Sequence, residues 1–181
     1  MLKSTNVITS RQNRFNPDCT YQKHEFKTFD LINGLKSKNL NDLKFTNLAN
    51  NESENVFNMV FEMLIKHQMG DNSYLDDFVM DEIYNNYRSD RLFDIINRIQ
   101  KTKYKDKDLL SIRKLNCKLD PNLHFYIKIS KNNAKVILID LYHLAIYGDL
   151  IKNNKRITIP IEKLYRRHRK NSVSLERLLD L

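Results

Sequence analysis

Val136-Ile137-Leu138-Ile139 is apolar at four successive positions, so as an extended strand it must bury both of its faces. A lone surface hairpin cannot meet that demand; other layers have to pack above and below. Residues 123–130 form a second β-rich run, and Asn132-Asn133 between the two runs tolerates the positive φ of a two-residue turn. With that loop, Ile129 faces Val136, Ile127 faces Leu138 and Phe125 faces Asp140 on one side of the sheet. Tyr126 then faces Ile139 and His124 faces Leu141 on the other side, with His143 diagonal to His124. A short third strand at 156–160 ends at Pro160.

Upstream the periodicity changes. Val56, Val60, Met63, Leu64 and His67 keep helical spacing, with Asn51 or Ser53 as cap and Gly70 as stop. Ser73 followed by Asp76 predicts a second helix carrying Leu75, Phe78, Val79, Ile83 and Tyr87, and Leu92, Phe93, Ile96 and Ile99 continue the stripe. Residues 101–118 read as an exposed basic connector, and two short helices at 161–170 and 172–181 close the chain. Residues 1–50 are weakly periodic and read as an irregular arm with a short helix near 29–35. The expected fold is therefore α+β. An acidic helical middle (about 52–100) packs on a small, mainly antiparallel sheet built on the hairpin at about 122–147, with short basic helices at about 161–181. Residues 51–181 form a single domain in this reading.

Charge divides the chain in the same places. Lys and Arg exceed Asp and Glu by 4 in residues 1–50 and by 11 in residues 101–181, whereas residues 51–100 carry an acidic excess of 6. A basic surface beside an acidic helical unit points to a polyanionic partner. Three glycines, at 34, 70 and 148, are too few for a Rossmann or P-loop phosphate cradle. Histidine and cysteine spacing completes no zinc site, and the carboxylates lack a calcium-loop pattern, so neither metal nor cofactor is expected. No apolar run is long enough to cross a membrane, no leader is apparent, and the two cysteines, Cys19 and Cys117, fit a reducing, cytoplasmic setting.

Two constellations carry the functional expectation. Lys163, Arg166, Arg167, Arg169 and Lys170, with Tyr165 among them, form a cluster suited to phosphate contacts, and Lys103, Lys105, Arg113 and Lys114 add to the basic surface. On a helix, Lys163, Arg166, Arg169 and Lys170 share one side, with Leu164 and Arg167 turned elsewhere. His124 and His143, with Tyr126 and Asp140, fit metal-independent RNA cleavage, one imidazole acting as base and the other as acid. The expected function is nucleic-acid binding, RNA before DNA, with an endoribonuclease of toxin–antitoxin or mobile-element defence type as its sharper form. The alternative is a non-enzymatic viral, phage or mobile-element accessory protein that docks an acidic protein partner, or a subunit of a larger nucleoprotein assembly. Richness in Asn, Lys and Ile fits an AT-rich genome.

Overall fold

A computed structural model describes residues 27–50, 54–83, 87–120, 122–131, 133–146, 149–152, 155–158 and 160–179. Residues 1–26, which make up much of the expected N-terminal arm, lie outside the described residues, as does the turn residue Asn132. In chain order, β1 (Thr28–Asp30) leads into a 3-10 turn at Ile32–Leu35, and β2 (Asn39–Leu40) and β3 (Phe45–Thr46) form a two-stranded hairpin. Then come α1 (Glu54–Gln68), a 3-10 turn at Ser73–Asp77, β4 (Phe78–Glu82) and α2 (Tyr87–Gln100). A 3-10 turn at Asp106–Ser111 precedes β5 (Ile112–Cys117), β6 (His124–Ser130) and β7 (Asn133–Asp140). The hairpin β8 (Asp149–Lys152) and β9 (Lys155–Thr158), α3 (Ile161–His168) and a last 3-10 turn at Glu176–Leu179 complete the described chain.

Helices and a mainly antiparallel mixed sheet make this an α+β fold. The sheet order is β1-β7-β6-β5-β4, antiparallel throughout except for β1, which runs parallel to β7. Among the described residues the helix expected at 172–181 is only the 3-10 turn at Glu176–Leu179, and the short helix expected near 29–35 is β1 followed by a 3-10 turn; three parts of the main sheet also differ from the sequence reading. The second helix is replaced by the 3-10 turn at Ser73–Asp77 and then β4, because all five residues of that strand pair with β5. The spacing of Leu75, Phe78 and Val79 suits either form, and the backbone bonds to β5 decide for the strand. The expected connector also contains β5, whose Ile112, Leu115 and Cys117 are buried.

The third difference is the register. Ser130 pairs with Asn133, so the turn falls one residue earlier, with Lys131 at φ 55°. Pairing then shifts by one beyond Ile127, where Ile137 is the extra residue of a bulge. Ile127 faces Val136, Tyr126 faces Leu138, Phe125 faces Ile139 and His124 faces Asp140.

Layers cover both faces, as the apolar run demands. On the face carrying Leu115, Phe125, Val136 and Ile139, α1 brings Met59 against Cys117, and Gly34 lies over Val136 and Ile139. On the other face, Arg91 of α2 stands close to Tyr126 and Asp140, and Leu92, Ile95 and Ile96 of that helix are buried. The outer edge of β7 is closed in two ways. β1 pairs with Asn133–Lys135; further along, Gln100 Nε2 donates to Ile137 O and Asn47 Nδ2 to Ile139 O, at 2.8 and 3.2 Å.

Candidate functional site

Pro160 precedes α3, and its carbonyl accepts the Lys163 and Leu164 amides. Ile161, Leu164, Tyr165 and His168 form the inward stripe at helical spacing; Leu164 and Tyr165 are buried. Burial of two such side chains contributes roughly 2–3 kcal/mol each, which fixes a helix too short to persist alone. The Tyr165 hydroxyl bonds Asn39 and Asn41, and Asn39 Nδ2 donates to Arg169 O at 3.1 Å, so α3 is tied to the β2–β3 hairpin. Beyond the helix, Val173 bridges Ala49, and Leu175 N donates to Ser37 Oγ.

A second anchor is aromatic. The Tyr142 ring stacks on His168 with centroids 3.8 Å apart and planes at 7°. Its hydroxyl donates to Leu48 O and accepts from Asn171 Nδ2. Burial pushes the Tyr142 hydroxyl up to about 12, and burial together with Arg167 holds His168 below the usual imidazole range. Both groups are therefore neutral at pH 7.

This packing leaves Lys163, Arg166, Arg167, Arg169 and Lys170 exposed, and none of the five forms an ion pair with a described residue. Arg167 belongs with this outward group and not with Leu164, a correction to the expected sides of the helix. The β2–β3 hairpin and its lead-in add Lys36, Lys38 and Lys44, all exposed, with Lys44 Nζ 5.9 Å from the Tyr165 ring centroid. Sequence reasoning passed over those three because residues 36–44 read as part of an irregular arm. The bond between Tyr165 and the two asparagines joins them to α3.

The other basic candidates are disposed differently. Arg113 Nη1 donates to Leu110 O and Ile112 O, and its Nη2 lies 3.6 Å from Glu82. Lys114, half-buried in β5, faces Asp81 across the sheet; burial lowers its pKa, against the pull of Asp81 and Asp140. Lys103 and Lys105 are exposed on the segment after α2. Lys105 lines a groove of about 500 Å³ whose walls include Asp90, Asp94 and Asp106.

His124 and His143 do meet, though not through strand pairing. Asp140, wholly buried at the end of β7, accepts backbone N–H bonds from Tyr142 (3.2 Å), Leu144 (3.0 Å) and Ala145 (2.6 Å). Those bonds curl 141–145 back over the strand end, and His143, at φ 57°, presents its Nδ1 to His124 Nε2 within hydrogen-bonding distance. The ring centroids are 4.5 Å apart. Burial, with His143 and Lys114 adding to it, pushes His124 down to about 2, and the ring stays neutral. Burial also pushes Asp140 up to about 6 despite its three N–H donors and nearby Arg91. Tyr126 is wholly buried, which raises its hydroxyl well above the usual range. The two rings are bonded directly to each other, and His124 stays neutral in that contact. In this arrangement the polar cluster shapes the 141–145 loop, and through Tyr142 it positions α3.

No family model, curated protein or solved structure gives a significant match to this chain.

Proposed function

We propose that this chain binds nucleic acid through α3 and the adjoining β2–β3 hairpin, and that it retains its ligand without cutting it. One observation carries this reading: five exposed cations, none in an ion pair with a described residue, lie on α3 and the turn that follows it, and the inner face of that helix is pinned at Leu164, Tyr165 and His168. Exposed cations that neutralise phosphates release counterions, so affinity falls steeply with salt and depends little on sequence. Positioning by packing matters as well, since a helix already held in place has less backbone freedom to lose on binding.

The test is retention of labelled RNA and DNA between 50 and 200 mM salt in EDTA, comparing wild type with Arg166→Ala/Arg167→Ala and with His143→Ala. Wild type retains intact nucleic acid. The double arginine variant shows a log–log salt slope shallower by about 2, at roughly 0.7–0.9 per lost contact. His143→Ala behaves as wild type. RNA cut by wild type and spared by His143→Ala refutes retention without cleavage. A chain held by polyglutamate but by no nucleic acid replaces the whole reading with the acidic-protein partner.

A further inference from the structure

Successive helical residues advance by about 100° around the axis. On that wheel Ile161, Leu164, Tyr165 and His168 centre on the buried side of α3, and the five cations of its segment fan over roughly 160° of the opposite side. Arg169 stands at one flank, Arg167 at the other, and Arg166, Lys170 and Lys163 lie between. A cation set that serves one strand of phosphates needs a line. This set has two flanks and a crest.

The aromatic inventory points the same way. Proteins that hold single strands join a basic groove to aromatic rings on which bases stack. Here Tyr165 is 4% exposed and Tyr142 6%, and both hydroxyls are engaged inside the protein. Among the described residues 36–46 and 160–177, no exposed side chain is aromatic. Among the described residues the face therefore offers charge without a stacking platform. A duplex hides the faces of its bases and displays two rows of phosphate on either side of a groove, which cations can grip without reading bases.

We propose that the ligand of this face is a double-stranded nucleic acid, held through the phosphates of both strands with α3 lying between them. The proposal rests on the nucleic-acid reading above and names the form of the ligand. Base faces play no part in it.

Fluorescence anisotropy of the full chain against labelled 20-mers tests it, using duplex RNA, duplex DNA and the separate strands of each at about 100 mM salt. At least one duplex binds tenfold or more tighter than either of its strands, and the RNA and DNA arms show which backbone is preferred. Arg167→Ala and Arg169→Ala, from opposite flanks, each weaken duplex binding several-fold and each reduce the salt slope by about 1. Single strands bound as tightly as duplexes overturn the duplex assignment while leaving nucleic-acid binding in place. So does a duplex affinity that responds to only one of the two flank variants, because the grip on two strands then fails. Absence of binding to all the probes overturns the nucleic-acid reading itself.

Discussion

Gly34→Ala places a methyl group where β7 leaves no space. A Cβ at Gly34 stands 2.9 Å from Val136 Cβ, closer still to Val136 Cγ1, and 3.3 Å from Ile139 Cγ1. Carbon pairs settle near 3.5–4.0 Å, so about an ångström of movement is required. Val136 is β-branched and stiff at χ1, and its backbone is held by pairing with Ile127 beside the bulge. Neither the side chain nor the strand can give way alone, and overpacking of such a site costs about 1–3 kcal/mol. Single domains hold only about 5–15 kcal/mol in total. Urea unfolding of wild type, Gly34→Ala, Val136→Ala and the double variant measures the effect. The double variant recovers part of the sum of the single losses, because removing the Val136 methyls lifts the tightest contact but leaves the Cβ pair. A coupling of about 1 kcal/mol or more is expected. Gly34→Ala unfolding within about 0.5 kcal/mol of wild type, or strictly additive losses, refutes the packing argument.

Asp140 and the Tyr142–His168 stack give two further tests. Asp140 binds its proton more tightly folded (about 6) than unfolded (3.8), so this group favours the folded state below about pH 4 and withdraws that support as pH rises through 6. The full swing is about 3 kcal/mol, and His124, held neutral, acts in the opposite sense as pH falls below 6.5. The stability difference between wild type and Asp140→Asn isolates the carboxylate: it shifts in favour of the variant between pH 4 and 7, and a pH-independent difference refutes the assignment. Tyr142→Phe removes a buried hydroxyl with two partners and lowers stability by about 1–3 kcal/mol in thermal unfolding. Tyr142→Ala costs about 3–5 kcal/mol and also weakens nucleic-acid affinity although no cation is lost; unchanged affinity in a folded variant shows that α3 needs no such support.

The hairpin strands and α1 were legible in the sequence because their patterns answer to local rules. Alternating and β-branched residues mark β6 and β7, and Gly70, at φ 75°, stops the helical turn after α1. The register was not legible. Asn tolerates αL backbone better than Lys does, yet Lys131 takes that conformation, and the bulge at Ile137 carries no local signal. β4 was hidden because its pairing partner lies more than thirty residues further along, and a pattern of five residues cannot report that. The meeting of His124 with His143 was anticipated for a different reason. Strand geometry suggested it, whereas a loop curled around the Asp140 carboxylate produces it. The cations of α3 were visible as a charge run, but their partners Lys36, Lys38 and Lys44 needed the tertiary link through Asn39 and Asn41.

The parallel pairing of β1 with β7 also sets a schedule for the chain as it is made. Thr28 waits for Asn133, and synthesis at roughly 5–20 residues per second puts several seconds or more between them. Through that interval Phe29, Leu31 and Leu35 have no β7 to cover, and a parallel strand cannot form early by local closure. The last strand of the main sheet to leave the ribosome is therefore the one that recruits the first. A slowdown of translation just upstream of residue 133 would lengthen the time these apolar side chains stand open to aggregation, with no change in the finished protein.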